Sequence, residues 1–312
     1  MIQNKKIVVL TEKFCDLNPC LGTTSAYSNV IGSLISAGIK DIRIRHYDEY
    51  LLRFQKSIDD TLIEEAKENK PDYVFCSYYP FMDSRNIKLD TFEKFRKMGV
   101  PVIFIWFDFG HAQIRNLALQ VGSLVGKLNV VVDTIDQVNN ENFISMWVPQ
   151  DERLFHPTEK DIDACFVGTV NNYPTRRMYL DFIKSKFPLY VSGGQREHCL
   201  SIEDYATIIG RSRISLNFPD KSDGTVQAKC RIYESMLCGS LLLEKDNEAI
   251  KKWFDPMIHY VPFSNEQDLL DKINYYLEHP DERNAIVSTA LNKMKTDYSS
   301  EKWWTTVLEK AK

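Results

Sequence analysis

The segment from Asp223 to Glu248, DGTVQAKCRIYESMLCGSLLLEKDNE, gathers the residues best suited to chemistry. Asp223, Gly224 and Thr225 read as a helix start, Gly239 as the stop, and SLLLE as a strand directly after it. Over a helix at 226–238, Val226, Cys230, Tyr233 and Leu237 share an apolar stripe that packs on a sheet. Gln227, Arg231 and Glu234 line up on a polar stripe beside it, outside the core. Such a stripe behind a glycine turn suits a nucleoside diphosphate. Free amides at Gly224 and Thr225 and the helix dipole would meet the phosphates, and a carboxylate deeper in would accept ribose hydroxyls. A plain i, i+3 ion pair between Arg231 and Glu234 would satisfy the same spacing without any ligand.

A second cationic feature lies upstream. A strand closes at Gly168 and Pro174 stands where a first helical residue belongs, so Arg176 and Arg177 fall in a first helical turn. Cations there oppose the helix dipole, which points to a bound anion. A guanidinium fork fits a departing diphosphate, and Arg177 is placed ahead of Arg176 for that role. In the amino-terminal half, Gly22, Thr23 and Thr24 form a loop before a helix, and Tyr78 and Tyr79 follow the strand YVFCS, where they could stack on a sugar. Asp108, Gly110 and His111 follow VIFIWF, so that Asp108 or His111 could take a proton from a hydroxyl. The structural alternatives are a helix cap at Asp108 and a surface histidine at His111.

Three motifs are set aside. Asp161 and Asp163 form a DxD, but it precedes a strand instead of following one. SGGQ at 192–195 lacks the longer glycine pattern and lysine of a phosphate loop. Cys15 and Cys20 have no second ligand pair, so no metal is expected.

The elements that must position these residues alternate in β-α fashion along the chain. Strands are expected at 7–11, 42–46, 73–77, 102–106, 130–133 and 145–148, then at 164–168, 189–192, 214–218, 241–244 and 258–261. Helices in the second half are expected near 174–185, 202–210, 226–238 and 265–278. Near-continuous apolar runs such as VPVIFIWF suit parallel strands covered on both faces. At 312 residues two domains are the natural division. A polar, proline-bearing segment at 149–161 marks the link. Net charge −4 excludes a global basic field for nucleic acid, and no run approaches a membrane span, which leaves only peripheral membrane contact open. Seven cysteines, odd in number and mostly within apolar runs, read as thiols of a reducing cytoplasm.

RIYESMLCGSLLLEKDNEAIKKWF resembles the signature of group 1 glycosyltransferases, and is especially similar to their spore maturation protein-like branch: Arg, any residue, an aromatic, Glu, then Gly and a strand. DACFVGTVNNYPTRRMYLDFI, EDYATIIGRSRISLNF and YYLEHPDERNAIVSTALNKMKTDYS resemble further parts of that pattern, in order, over about residues 147–300. The resemblance implies an α/β chain of GT-B type, two Rossmann-like domains facing across a cleft. It divides into 1–148 on the acceptor side, 149–296 for the nucleotide sugar, and a last helix at 297–312, with Trp303, Trp304, Val307 and Leu308, returning to the first domain. It implies transfer of a sugar, a hexose foremost, from a nucleotide donor such as a UDP- or GDP-sugar to a carbohydrate, lipid-linked or protein hydroxyl. No metal or separate cofactor is expected to take part. Glu234 would hold the ribose, and Gly168, Gly224, Thr225, Gln227 and the arginines the rest of the donor. Many relatives carry a second Glu eight residues before the helix Glu, where this chain has Val226, so retention of configuration is left open. An epimerase or hydrolase of nucleotide sugars, or a non-catalytic binding protein, would fit the same two-domain plan.

Overall fold

In the computed structural model the chain forms two compact units, Met1–Asp151 with Ser300–Lys312, and Glu152–Ser299. The structure describes residues 2–14, 18–77, 87–132, 140–171, 173–193, 200–221 and 226–312.

The first unit is built on six parallel strands, β1 (Lys6–Thr11), β2 (Asp41–His46), β3 (Tyr73–Ser77), β4 (Val102–Trp106), β5 (Leu128–Val131) and β6 (Phe143–Ser145). Their order is β2-β1-β3-β4-β5-β6. Every residue of β3 and β4 is buried, as strands covered on both faces must be. Side chains of alternate residues serve different layers. Val74, Phe104 and Trp106 pack with Phe92 and Phe95 of the Leu89–Lys97 helix. Phe75 meets Trp304 edge-on at 4.6 Å. Trp304 lies on the Ser300–Lys310 helix and donates its indole N–H to Ser33 Oγ at 3.0 Å, while Trp303 donates to the carbonyl of Trp147 at 2.7 Å. Each buried indole thus keeps its one donor satisfied, the condition for burying a tryptophan without loss.

The second unit has five parallel strands, β7 (Ile162–Val167), β8 (Tyr190–Ser192), β9 (Ser212–Asn217), β10 (Leu241–Lys245) and β11 (Val261–Phe263), in the order β11-β10-β9-β7-β8. Pro174 opens the Pro174–Lys184 helix. Ser201 caps Ile202–Arg211 through the amide of Asp204, and Asn265 caps Glu266–Glu278 through the amide of Asp268. The largest departures from the apolar runs are at β5, β6 and β11, which occupy Leu128–Val131, Phe143–Ser145 and Val261–Phe263 where 130–133, 145–148 and 258–261 were expected. Pairing with a neighbouring strand decides where each ends. Ile103 of β4 faces Leu128, and Leu243 of β10 faces Val261.

Both sheets wind in the same way. The chain pairs its first strand with the second on one side and the third on the other, then adds strands outward, so the winding reverses at β1/β3 and at β7/β9. Ligands of open parallel sheets bind outside the carboxyl ends of the strands at such a reversal. No helix among the described residues is long and apolar enough to cross a membrane.

Candidate active site

The reversal point of the second unit carries a cluster of charged side chains. β7 runs out at Gly168, whose φ of +150° falls in a region that side-chain-bearing residues rarely adopt. A Cβ built there would lie 2.2 Å from Arg231 Nη2, so only glycine lets the guanidinium approach the strand end. Arg231 donates to Asn217 Oδ1 at the end of β9 at 2.7 Å and lies over the Phe166 ring, 4.8 Å from its centre.

Arg176 approaches the same ring. Its guanidinium carbon is 5.5 Å from the centre of Phe166 and 3.9 Å from that of Tyr173. It donates to the carbonyls of Thr169, Phe218 and Asp220, while its buried Nε has no partner among the described residues. Burial first, and Arg231 second, push its pKa down to about 10. Among the described residues no carboxylate pairs with either guanidinium. Two like charges held on one aromatic ring, with no acid partner among the described residues, are chemically suited to an anion. Arg177 differs: it is exposed and donates to Asn171 Oδ1, one helix position round from Arg176. The geometry therefore brings Arg176, not Arg177, beside Arg231.

The helix bearing Arg231 corrects two expectations. It spans Cys230–Leu237 and does not begin at 226. Val226 pairs antiparallel with Asp220, and the amide of Gln227 donates to the carbonyl of Pro219 at 3.2 Å. Those backbone bonds precede the helix, and Lys229, its N-cap, is still extended at φ −79° and ψ 153°, so Gln227 is not on the helix and Val226 is 43% exposed instead of apolar-packed. Glu234 is only 2% exposed, where an outward polar stripe was expected, because the Ile202–Arg211 helix covers that face. The Tyr205 hydroxyl on that helix donates to Glu234 Oε2. Burial lifts the Glu234 pKa to about 7, against the opposing pull of Tyr205 and then Arg231. Arg231 and Glu234 thus each have a different partner and form no simple surface ion pair.

Tyr205, Asn217 and Glu244 are site residues that the sequence reading passed over. Asn217 and Glu244 are polar residues at the ends of the apolar runs of β9 and β10, and that position was the available signal. Glu244 is fully buried and its pKa is pushed up to about 8 by burial, despite accepting from Asn217 and Asn247.

Gly224 and Thr225 lie outside the described residues, as do Tyr78 and Tyr79. In the first unit Gly22 takes φ +76°, Thr23 pairs antiparallel with Phe14, and the buried Thr24 donates its amide to Lys13 O at 3.0 Å. These three residues fold back beside the end of β1. Asp108, exposed at the end of β4, takes a left-handed φ of +53°, and its backbone carbonyl accepts the amide of His111 at 2.9 Å. His111, not Asp108, is the N-cap residue of Ala112–Leu117. The DxD acids are engaged elsewhere: Asp161 and Asp163 pair with Arg211 and Arg213 at the amino end of β7. Among the described residues no group of acids, histidines and cysteines could hold a metal ion, and none of the five described cysteines is in a disulfide.

Two doubly wound parallel sheets, together with the solved structures they resemble, give the chain a GT-B fold. Residues 153–309, just over half of the chain, match the family described as glycosyl transferase-like, and the protein belongs to that family. Solved structures extend the likeness over both units. Anabaena HepE in complex with UDP-glucose is similar at TM-score 0.66 and 10% identity, covering 98% of this chain and 99% of that one. Sucrose-phosphate synthase from Thermosynechococcus elongatus follows at 0.58 and 9%, covering 98% and 97%. A Listeria monocytogenes protein assigned as a UDP-N-acetylglucosamine 2-epimerase is similar at 0.54 and 9%, covering 95% and 96%. No curated protein sequence matches the chain.

Proposed function

We propose that the protein transfers a sugar, foremost a hexose, from a nucleoside diphosphate to an acceptor hydroxyl without a divalent metal, and that it stands nearest the spore maturation protein-like branch of its family. The observation that carries the proposal is the pair Arg176 and Arg231 over Phe166, without an acid partner among the described residues, beside the buried Glu234. Negative charge grows on the diphosphate as the glycosidic bond breaks, and two fixed guanidiniums stabilise that change where a metal ion would otherwise be needed. Glu234, oriented by Tyr205, accepts from the ribose. The role first given to Arg177 passes to Arg176, because Arg177 is exposed and turned to Asn171.

In the first unit Asp108 or His111 takes the acceptor proton if the transfer inverts configuration; if it retains, the leaving phosphate can do so. Gly22, Thr23, Thr24, Tyr78 and Tyr79 are the acceptor-side candidates. HepE is described with UDP-glucose, which makes a uridine nucleotide the first donor to test. At a hundredfold excess over its dissociation constant, UDP should stabilise the protein by about 2.7 kcal/mol in a thermal-shift series. Mass spectrometry after incubation with UDP-, GDP- and ADP-sugars and an acceptor panel should show a glycosylated acceptor, with the same yield in excess EDTA. A changed sugar still on its nucleotide would make the protein an epimerase, release of free sugar a hydrolase, and binding without turnover a non-catalytic receptor. Loss of activity in EDTA with recovery in manganese would overturn metal independence.

A further inference from the structure

Behind Arg231 runs a chain of hydrogen bonds through the buried Asn217 and Glu244 whose donor and acceptor roles are fixed from both ends. Arg231 has donors only, so its 2.7 Å bond to Asn217 identifies the atom facing it as the amide oxygen, Oδ1. The Asn217 Nδ2 group is thereby turned to Glu244 Oε2, at 2.7 Å. At the other end, the backbone amides of Ala249 and Ile250 donate to Asn247 Oδ1 at 3.0 and 3.2 Å, where Asn247 caps Glu248–Lys251. Asn247 Nδ2 is thereby turned to Glu244 Oε1, at 3.0 Å. Both asparagine orientations are thus set by partners that can only donate, and both oxygens of Glu244 face N–H groups. A carboxyl group accepts on both sides, through either oxygen when ionised and through its carbonyl and hydroxyl lone pairs when protonated, whereas an amide NH2 cannot accept. Asn217 and Glu244 are fully buried, so water cannot take either partner's place.

We propose that Glu244 is a positioning residue for donor binding: acting through Asn217, it holds the Arg231 guanidinium over Phe166 at the end of β7. The proposal rests on the donor site described above. Glutamine at 244 presents one oxygen and one NH2. It either sets N–H against N–H or lets Asn217 rotate, which turns the asparagine's own NH2 toward Arg231.

A double-mutant cycle read by isothermal titration with UDP tests this. It uses the wild type, Glu244→Gln, Asn217→Ala and the double variant, each with a melting curve. Each single change should weaken UDP binding about tenfold, the scale of one lost charge-assisted contact. The double variant should be no weaker than Asn217→Ala alone, since the relay is already cut. Should Glu244→Gln not fold, Glu244→Asp replaces it in the cycle, since a side chain one methylene shorter cannot reach both amides. Multiplying losses, or wild-type affinity in a folded Glu244 variant whose melting point alone has dropped, would overturn the positioning role while leaving the donor site standing. A wild type that binds neither UDP nor any other nucleoside diphosphate would overturn both, and the wild-type titration alone would reveal it.

Discussion

The two units share one winding order yet use their strand-end charges in opposite ways. In the first, Asp48 is fully buried and accepts from the amides of Lys13, Phe14 and Glu49 at 2.8 to 3.0 Å. Its charge goes into fixing the chain that leaves β1. In the second, Arg176 and Arg231 have carbonyls, an amide oxygen and aromatic rings around them. An acid answered by backbone N–H groups is structurally complete, whereas guanidiniums without an acid partner among the described residues leave attraction to spare. The same topology therefore yields a fastened loop in one unit and a receptive strand end in the other, and side-chain partnering separates them.

The sharpest way to break this contrast is to remove each charge. Asp48→Ala strands three amides and should destabilise the protein by roughly 3 kcal/mol or more in denaturant melts, with UDP affinity of the folded protein unchanged. Weaker UDP binding at full stability would mean that Asp48 also serves the ligand. Arg231→Ala and Arg176→Ala should reverse that pattern, each raising the dissociation constant for UDP by about ten- to a hundredfold, equivalent to roughly 1.4 to 2.7 kcal/mol. Lysine at either position should recover only part, since a point charge lacks the fork. Intact UDP affinity in both alanine variants would remove the diphosphate assignment.

A smaller effect should follow pH. Glu234 and Glu244 hold their protons up to about 7 and about 8 in the folded chain, against 4.5 for an ordinary glutamic acid. The folded state therefore binds more protons than the unfolded one across that window. Their contribution to stability is complete below about 4.5 and is lost as pH rises through 7 to 8. His46 and His259, whose pKa values burial lowers, act in the opposite sense, so the wild type must be compared with Glu234→Gln and Glu244→Gln. The stability difference between wild type and each variant should shrink from pH 5 to pH 9. A flat difference would show that neither acid is protonated in the folded protein. The smallest effect belongs to Arg177→Ala, expected to change UDP affinity by less than about twofold, as for an exposed side chain. A loss equal to that of Arg176→Ala would return the clamp to the outer arginine.

Much of this contrast was legible in the sequence where the cause is local. Apolar runs located the strands, Pro174 the start of its helix, and Gly168 the strand end that Arg231 approaches. What escaped depends on contacts between distant segments. The spacing of Val226, Cys230, Tyr233 and Leu237 is helical, but the Asp220–Val226 pairing that delays the helix to Cys230 has no local signature. Glu234 read as outward-facing because a single helix cannot show the second helix laid over it. Arg176 and Arg177 are equivalent in composition, and only the packing of Phe166 and Tyr173 against one of them tells them apart.

The return of the Ser300–Lys310 helix to the first unit has a consequence for biosynthesis. During translation, residues 152–299 emerge as a continuous stretch holding everything their own core requires. The first unit, although begun earlier, must wait with Phe75 and Ser33 uncovered until Trp304 has left the ribosome. The later-made unit can therefore close its core from one continuous stretch, whereas the earlier one closes only when residues 300–312 arrive.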